Sequence, residues 1–361
     1  MKKHASKKKK TIIGILIAAG VIALLAAILA FFSGLEKHND IAPEGAGLAL
    51  SREEAAARAA QDIASPGEKP AGGDSGDDEI VNTLFYKGRQ YVYNESLVSL
   101  LILGTDKKEV EEYIPTENDS HVDFLVLAVF DPDTKTCKLL QLNRDTMCNV
   151  MTMQSDEQYD TVAYEQLAYA HAYGNGLEES CENTVRTVSY FLYSARIDNY
   201  FAFTMDAIPV LNDLVGGVTV TVEDDFSAVD DTLVMGETVT LTSDNVVHFV
   251  RSRKPVGDGM NQSRMRRQRE YMTGLISAMR TAVNEKPGFV LDAYGAVADN
   301  LVTDCTIDEL ADYADRFSDY TLSDIVTPEG EAVLGERYME FYVDEEALQE
   351  LVIETFYIPV D

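Results

Sequence analysis

Asp106 follows the apolar run LILG, Asp123 opens VDFLVLAVF, and Arg144-Asp145 follow LLQLN. Side chains at strand ends in an α/β sheet converge on the crevice where ligands bind. A second charged set lies farther along, in VRSRKPVGDGMNQSRMRRQRE at Val250 to Glu270. It holds Arg251, Arg253, Arg264, Arg266, Arg267 and Arg269, with Asp258 the only carboxylate before Glu270 closes it. Guanidinium groups stay charged and grip phosphate oxygens in a two-pronged geometry, so this cluster in an acidic chain suggests a specific phosphate site. Carboxylates facing arginines form the donor set for Mg2+ (or Mn2+) bridging a pyrophosphate, because such hard ions take one or two carboxylates plus phosphate oxygens. Phosphoryl transfer needs little beyond that positioning and charge stabilisation. The competing reading is a solvated basic helix face, with Asp106 and Asp145 as local caps.

Geometry constrains the second set. In a helix Arg251 and Arg253 would point roughly 200° apart, whereas an extended chain puts them on one side. For both to touch one anion, the helix before them must end by Val250. Arg264 and Arg267, three apart, share a face of the next helix. Arg266 and Arg269 form a different face and read as solvated.

The elements that position these residues follow from periodicity. Leu97 to Gly104, Val122 to Phe130 and Thr136 to Leu142 are short apolar runs that read as buried strands, the last two joined by the turn Asp131-Pro132-Asp133-Thr134. Helical spacing marks Tyr164 to Tyr173, Glu182 to Ala195, Ala207 to Leu214 and about Gln262 to Val283. Tyr200 to Thr204 and Val218 to Val222 read as strands, and Ser243 as the cap of a helix from Asp244. Farther on come two helical patches within Leu291 to Tyr320, the capping-box pattern Thr306 to Glu309, a strand from Arg337 and a helix from Asp344 to Phe356. Strands alternating with helices predict a three-layer α-β-α domain around a mixed sheet.

Upstream, Met1 to Lys10 carries six lysines and no acid, and Thr11 to Phe32 is an unbroken apolar run of 22 residues. At about 1.5 Å per residue such a helix spans roughly 33 Å, enough for a bilayer core. It is too long for a cleavable signal, the rival reading, and lysines before it predict a cytoplasmic N-terminus. The expected organisation is a basic tail at 1–10, a single-pass anchor at 11–32, a flexible linker at 33–80, a catalytic domain at 81–285 and an α/β extension at 286–361. Beyond residue 34 the chain has 24 basic against 61 acidic residues, a net of −37. That excludes nucleic acid as a partner, since backbone contact relies on many distributed cations. Cys137, Cys148, Cys181 and Cys305 show no zinc spacing, and an exported domain would permit a Cys148–Cys181 bridge.

The succession LILGTD, VDF, LNRDTM, AHAYGNG, LNDLVGGVTV, VRSR and SRMRRQR resembles the LytR-CpsA-Psr family of cell-wall glycopolymer transferases. The resemblance implies an anchored, extracytoplasmic domain that moves a glycan, as a sugar-phosphate, from a polyprenyl-pyrophosphate carrier to peptidoglycan with Mg2+. The expected acceptor is the C6 hydroxyl of N-acetylmuramic acid, and polyprenyl phosphate leaves. By position, Asp106 and Asp123 match the metal-associated aspartates. Arg144 and Asp145 match the R-D pair, and Arg251, Arg253, Asp258, Arg264, Arg267 and Gln268 the second block. The pattern departs from the family at Lys108 and His121, where arginine is usual. Lysine keeps charge without the two-pronged grip, and histidine carries charge only when protonated. Asp145, Asp258 and metal-bound solvent stand as alternative bases. The lipid is expected in an apolar tunnel lined partly by Phe201, Phe203, Val210 and Leu211. A pyrophosphate hydrolase and a non-catalytic lipid-binding scaffold are the alternatives.

Overall fold

The computed structural model describes residues 83–106, 120–152, 161–259, 261–286, 289–317, 320–336 and 338–360. The expected basic tail, the anchor, the linker and Lys108 lie outside them. Among the described residues no helix is long and apolar enough to cross a membrane.

In chain order the strands are β1 (Thr83–Tyr86), β2 (Arg89–Tyr93), β3 (Val98–Thr105), β4 (Val122–Asp131), β5 (Thr136–Leu142), β6 (Met147–Thr152), β7 (Thr161–Gln166) and β8 (Asn199–Phe203). They continue with β9 (Thr219–Thr221), β10 (Thr238–Thr240), β11 (Leu301–Thr303), β12 (Thr321–Val326), β13 (Gly330–Leu334), β14 (Met339–Val343) and β15 (Tyr357–Pro359). The α-helices are α1 (Glu178–Phe191), α2 (Ala207–Leu214), α3 (Val246–Arg251), α4 (Asn261–Glu285), α5 (Phe289–Val297), α6 (Ile307–Phe317) and α7 (Glu345–Phe356).

The central sheet has six strands in the order β11-β8-β3-β4-β5-β12 and is mixed. β3 pairs antiparallel with β4 and parallel with β8, and β5 pairs antiparallel with β4 and parallel with β12. The carboxyl ends of β3, β5 and β8 therefore open on one edge, beside the start of β4. Alternate residues of the central strands go to opposite cores. Leu100, Val126, Ala128 and Phe130 pack with Met279 of α4, Phe289 of α5 and Phe317 of α6. Leu101, Leu103, Leu125 and Leu127 pack with Val188 of α1 and Leu348, Val352 and Phe356 of α7. Helices thus cover both sheet faces, as wholly apolar strands require.

The β4–β5 turn forms as its sequence predicts, with the Asp131 carboxylate accepting from the Asp133 N–H at 2.9 Å. The capping box holds as well: Thr306 N–H donates to Glu309 Oε2 at 2.8 Å and Glu309 N–H to Thr306 Oγ1 at 3.3 Å. Other expectations give way. Tyr164 to Tyr173 is not a helix but the end of β7, paired with β6, followed by a 3-10 turn at Leu167–Ala172. The cap of α3 is Asn245, whose Oδ1 accepts from the Thr242 N–H, so the helix starts later than Ser243 would have it. Both edge strands of the sheet, β11 and β12, come from beyond residue 285, so the expected extension is built into the layer itself. No bridge joins Cys148 and Cys181; all four thiols are free and buried. Burial pushes each of them well above its ordinary pKa, which makes them packing groups and not nucleophiles.

Alkylation of the unfolded chain without reductant is expected to label four cysteines, and adding reductant to label no more. A mass for fewer than four labels before reduction would contradict the free-thiol core.

Candidate functional site

The first carboxylate is aimed by an irregularity in the sheet. Gly104 pairs with Phe124 and Thr105 with Val122, which leaves Asp123 as the extra residue of a β-bulge. Bulges re-aim a side chain at the rim of a sheet. Gly104 permits the close approach, because a Cβ there would lie 2.9 Å from Phe124 Cβ. Asp123 Oδ1 accepts from Arg144, which arrives from the end of β5, and from Arg264 Nη1 at 2.9 Å, which arrives from the first turns of α4. Burial opposes ionisation of Asp123, yet Arg264 and Arg144 hold its carboxyl below the usual range. Burial also lowers the Arg264 pKa, to about 10, which leaves it charged at neutral pH.

Two asparagines close this pair into a ring. Asp145 Oδ1 lies 3.5 Å from Arg144 Nε, and Arg253 Nη2 donates to Asp145 Oδ2 at 3.1 Å. Asn143 Oδ1 accepts from the Asp145 N–H at 3.0 Å and from Asn261 Nδ2 at 2.5 Å. Asn261 Oδ1 in turn accepts from Arg264 Nε at 2.9 Å. The circuit runs Asp123, Arg144, Asp145, Asn143, Asn261, Arg264 and back to Asp123. Burial pushes the Asp145 carboxyl above the usual carboxylate range, although Arg253 and Arg144 pull the other way. One buried carboxylate therefore stays ionised while its neighbour gains proton affinity, the pattern that separates a charge anchor from a base.

Behind the ring lies an apolar tunnel with about 1090 Å³ of atom-free space, its open mouth included. Asp123, Arg251 and Gln268 line its mouth, and Ile102, Phe124, Phe203, Ile208, Leu211 and Met272 its walls. Of the four expected wall residues, Phe203 and Leu211 are there. Phe201 is instead packed in the core under α4 and α5, and Val210, one position off the Ile208 and Leu211 face of α2, does not line the tunnel.

Arg251 is the last residue of α3, one later than the geometry of a shared anion asked, and the chain is extended at Ser252. Arg251 is exposed at the mouth and has no ion pair among the described residues. Arg267 does not face the crevice: its guanidinium donates to the carbonyls of Phe249 (2.8 Å) and Ser252, and to Asp224. Gln268 Nε2 donates to the Val250 carbonyl at 3.3 Å. Together they satisfy the orphan carbonyls at the end of α3 and so fix where Arg251 and Arg253 begin. Arg266 is half-exposed and pairs with Glu223 and Asp224, but Arg269 is not solvated. It is part-buried and donates to Gln141 Oε1 at 2.8 Å and Thr327 Oγ1 at 3.0 Å, tying α4 to β5. Asp258 accepts from Ser263 Oγ at the start of α4, and the ring closes without it.

Asp106 sits across from His121, its N–H donating to the His121 carbonyl at 3.0 Å and its Oδ1 accepting from the His121 N–H at 2.8 Å. The His121 ring lies 3.4 Å from Asp106 Oδ2 and edge-on to Tyr169. No cluster of three or more His, Cys, Asp or Glu able to hold a metal occurs among the described residues. Asp123 lines the crevice and its Oδ2 accepts no hydrogen bond among the described residues, so one carboxylate oxygen fits an ion that completes its shell with phosphate and water, whereas Asp106, engaged by His121, does not line the crevice. Asn143, Asn261 and, beyond Gln268, the α4 stripe residues Met272, Leu275 and Met279 were missed in the sequence, although the stripe has helical spacing.

A profile of the LytR_cpsA_psr family matches residues 74–354. The polyisoprenyl-teichoic acid–peptidoglycan teichoic acid transferase TagU of Halalkalibacterium halodurans is 29% identical over 215 residues, 58% of this chain and 62% of that protein. The chain thus matches about three fifths of that relative's length. TagU of Bacillus cereus is 27% identical over 258 residues, 70% of this chain and 76% of that protein. Among solved structures, TagT bound to LI-WTA superposes with a TM-score of 0.55 at 21% identity, covering 72% of this chain and 90% of that one, a likeness of fold.

Asp123→Asn keeps the shape but removes the counter-charge shared by Arg144 and Arg264. The expected loss in denaturant unfolding at neutral pH is about 3–5 kcal/mol. The sign follows from the depressed folded pKa: the carboxylate's contribution is complete above its unfolded value of about 3.9 and disappears as pH falls through the lower folded value. The gap between wild type and variant should therefore narrow in acid, and a constant gap from pH 7 to pH 2 would contradict the pairing.

Proposed function

The chain belongs to the LytR_cpsA_psr family, and from that premise we propose that it transfers a glycopolymer phosphate from a polyprenyl-pyrophosphate carrier to peptidoglycan. The observation that carries this reading is an apolar tunnel whose mouth holds Asp123, Arg251 and Gln268, next to a ring of arginines and aspartates. An isoprenoid tail fits the tunnel and a diphosphate fits its rim. The names of the TagU relatives point the same way.

The residues divide the work. The walls built by Phe203, Leu211 and Met272 bury the tail, at roughly 25 cal/mol for each Å² of apolar surface removed from water. Arg251 and Arg253 grip the diphosphate, and Arg144, held by Asp123, offsets the charge that develops on the transferred phosphoryl group. Asp123 would hold Mg2+ (or Mn2+), whose chemistry there is to neutralise the diphosphate oxygens. The oxygen of the C6 hydroxyl of N-acetylmuramic acid bonds to the glycan-side phosphorus as the bridging P–O bond breaks and polyprenyl phosphate departs. Asp145 takes the hydroxyl proton, a role favoured by its raised proton affinity. Residues 11–32 would anchor the chain in one pass with the N-terminus cytoplasmic and this domain outside, where carrier and acceptor meet.

Full-length protein in detergent, given a polyprenyl-pyrophosphate glycan, peptidoglycan fragments and Mg2+, should form a covalent glycan–peptidoglycan adduct. Arg144→Ala should reduce the rate by about a hundredfold or more, and free sugar-phosphate without adduct would identify a hydrolase instead. Because the base works ionised and its pKa is raised, activity should climb with pH along a limb displaced above about pH 4. Asp145→Asn should abolish that limb along with most activity; a limb that survives in the residual activity would move the base elsewhere.

A further inference from the structure

A second space touches the ring through Asn143, Asp145 and Asn261, none of which lines the tunnel. It is a notch with about 220 Å³ of atom-free space, lined by Asn143, Asp145, Asn261, Gln262, Glu340 and Phe341, with Ala332 and Met339 completing it. It is small, with room for roughly one water or one hydroxyl. Its roof is the hairpin β13–β14. That roof is fastened to the site and not merely near it: the Phe341 N–H donates to the Asp145 carbonyl at 2.8 Å, Phe341 bridges Thr146, and Gln166 Nε2 donates to the Met339 carbonyl at 2.6 Å.

The two spaces share no lining residue. Asp123 lines the tunnel, Asp145 lines the notch, and Arg144 bonds to the first while its Nε lies 3.5 Å from the second. Displacement at phosphorus runs in line, with the attacking oxygen and the leaving oxygen on opposite sides. A carrier seated in the tunnel sends its leaving group back toward the tunnel, so the attacking oxygen approaches from the ring's other side. The notch, whose lining is separate from the tunnel's, offers that approach the carboxylate with raised proton affinity and a small polar cavity.

We propose that this notch is the acceptor subsite, which takes the primary hydroxyl of a peptidoglycan sugar, with Gln262 and Glu340 selecting the sugar around it. The inference rests on the transferase reading. Gln262 is exposed and makes no hydrogen bond among the described residues, so its amide is available to a sugar hydroxyl or N-acetyl group. Glu340 is braced by the Tyr342 hydroxyl, which donates to its Oε2 at 2.6 Å, a fixed carboxylate of the kind that orients hydroxyl donors. Exposed Tyr338, adjacent on the same hairpin, supplies an apolar face at the rim. The acceptor hydroxyl enters with its proton toward Asp145. Its oxygen forms the new bond to phosphorus, the bond to polyprenyl phosphate breaks, and the proton ends on the carboxylate.

Steady-state transfer by the full chain is measured with a polyprenyl-pyrophosphoryl disaccharide as donor and uncrosslinked peptidoglycan oligosaccharide as acceptor, varying each in turn. Gln262→Ala and Glu340→Gln should each raise the acceptor KM about tenfold, leaving the donor KM and the direct binding of the donor unchanged. Ala332→Leu, which fills the notch, should abolish adduct formation while donor binding and Tm stay at wild-type values. Unchanged acceptor KM in the first two variants, together with full transfer by the third, would overturn the subsite and leave the transferase reading standing. A wild type that binds donor and forms no adduct would remove both. Loss of donor binding in any of the three variants at unchanged Tm would place these residues in the carrier site and also overturn the proposal.

Discussion

One buried carboxylate shared between two guanidinium groups holds the rest of this site in place. Asp123 receives Arg144 from the end of a central strand and Arg264 from a helix that begins more than a hundred residues later. Neither arginine could be carried into so dry a place alone, since an unpaired buried charge is worth several kcal/mol of instability. The bulge that turns Asp123 toward the crevice is thus a condition for the helix to dock as it does. Asn143 and Asn261 extend the same constraint to Asp145, so the charge anchor and the group with raised proton affinity are set by one circuit of hydrogen bonds that the Arg144–Asp145 ion pair closes.

Around that circuit the fold separates two environments. α2 and α4 leave an apolar tunnel against β3 and β8, and the hairpin β13–β14 roofs a separate small polar notch. Such an arrangement suits a substrate that is greasy at one end and doubly charged in the middle. The chain is strongly acidic overall, so the cations at the mouth are a local exception. Arg267 and Gln268 contribute at one remove, by closing the end of α3 on which Arg251 and Arg253 depend.

The sequence made legible what rests on local pattern. Buried strands at Val122 to Phe130 and Thr136 to Leu142, α2 at Ala207 to Leu214 and the Thr306 to Glu309 cap all follow from periodicity and turn chemistry, and all are present. Asp123, Arg144 and Asp145 could be named as charges at strand ends and Arg253 and Arg264 as members of an arginine cluster in an acidic chain, and the structure brings them together. What escaped were features decided by tertiary contact. Arg267 reads as a phosphate-binding partner of Arg264 and Arg269 as a solvated arginine until their acceptors, a helix end and the Gln141 amide, are known. Phe201 and Phe203 share a strand face, yet only the second reaches the tunnel, because α4 and α5 bury the first. The six-stranded sheet borrows both its edges from the last quarter of the chain, where β11 and β12 are too short and too polar to announce themselves.

The central claim is that isoprenoid and diphosphate occupy adjoining parts of one site. A crystal structure of the protein soaked with geranyl pyrophosphate tests it most directly. The account predicts the isoprenoid between Phe203, Leu211 and Met272, with phosphate oxygens within hydrogen-bond distance of Arg251 and Arg253. Diphosphate density elsewhere on the surface, or a tunnel left empty beside a bound diphosphate, would contradict it.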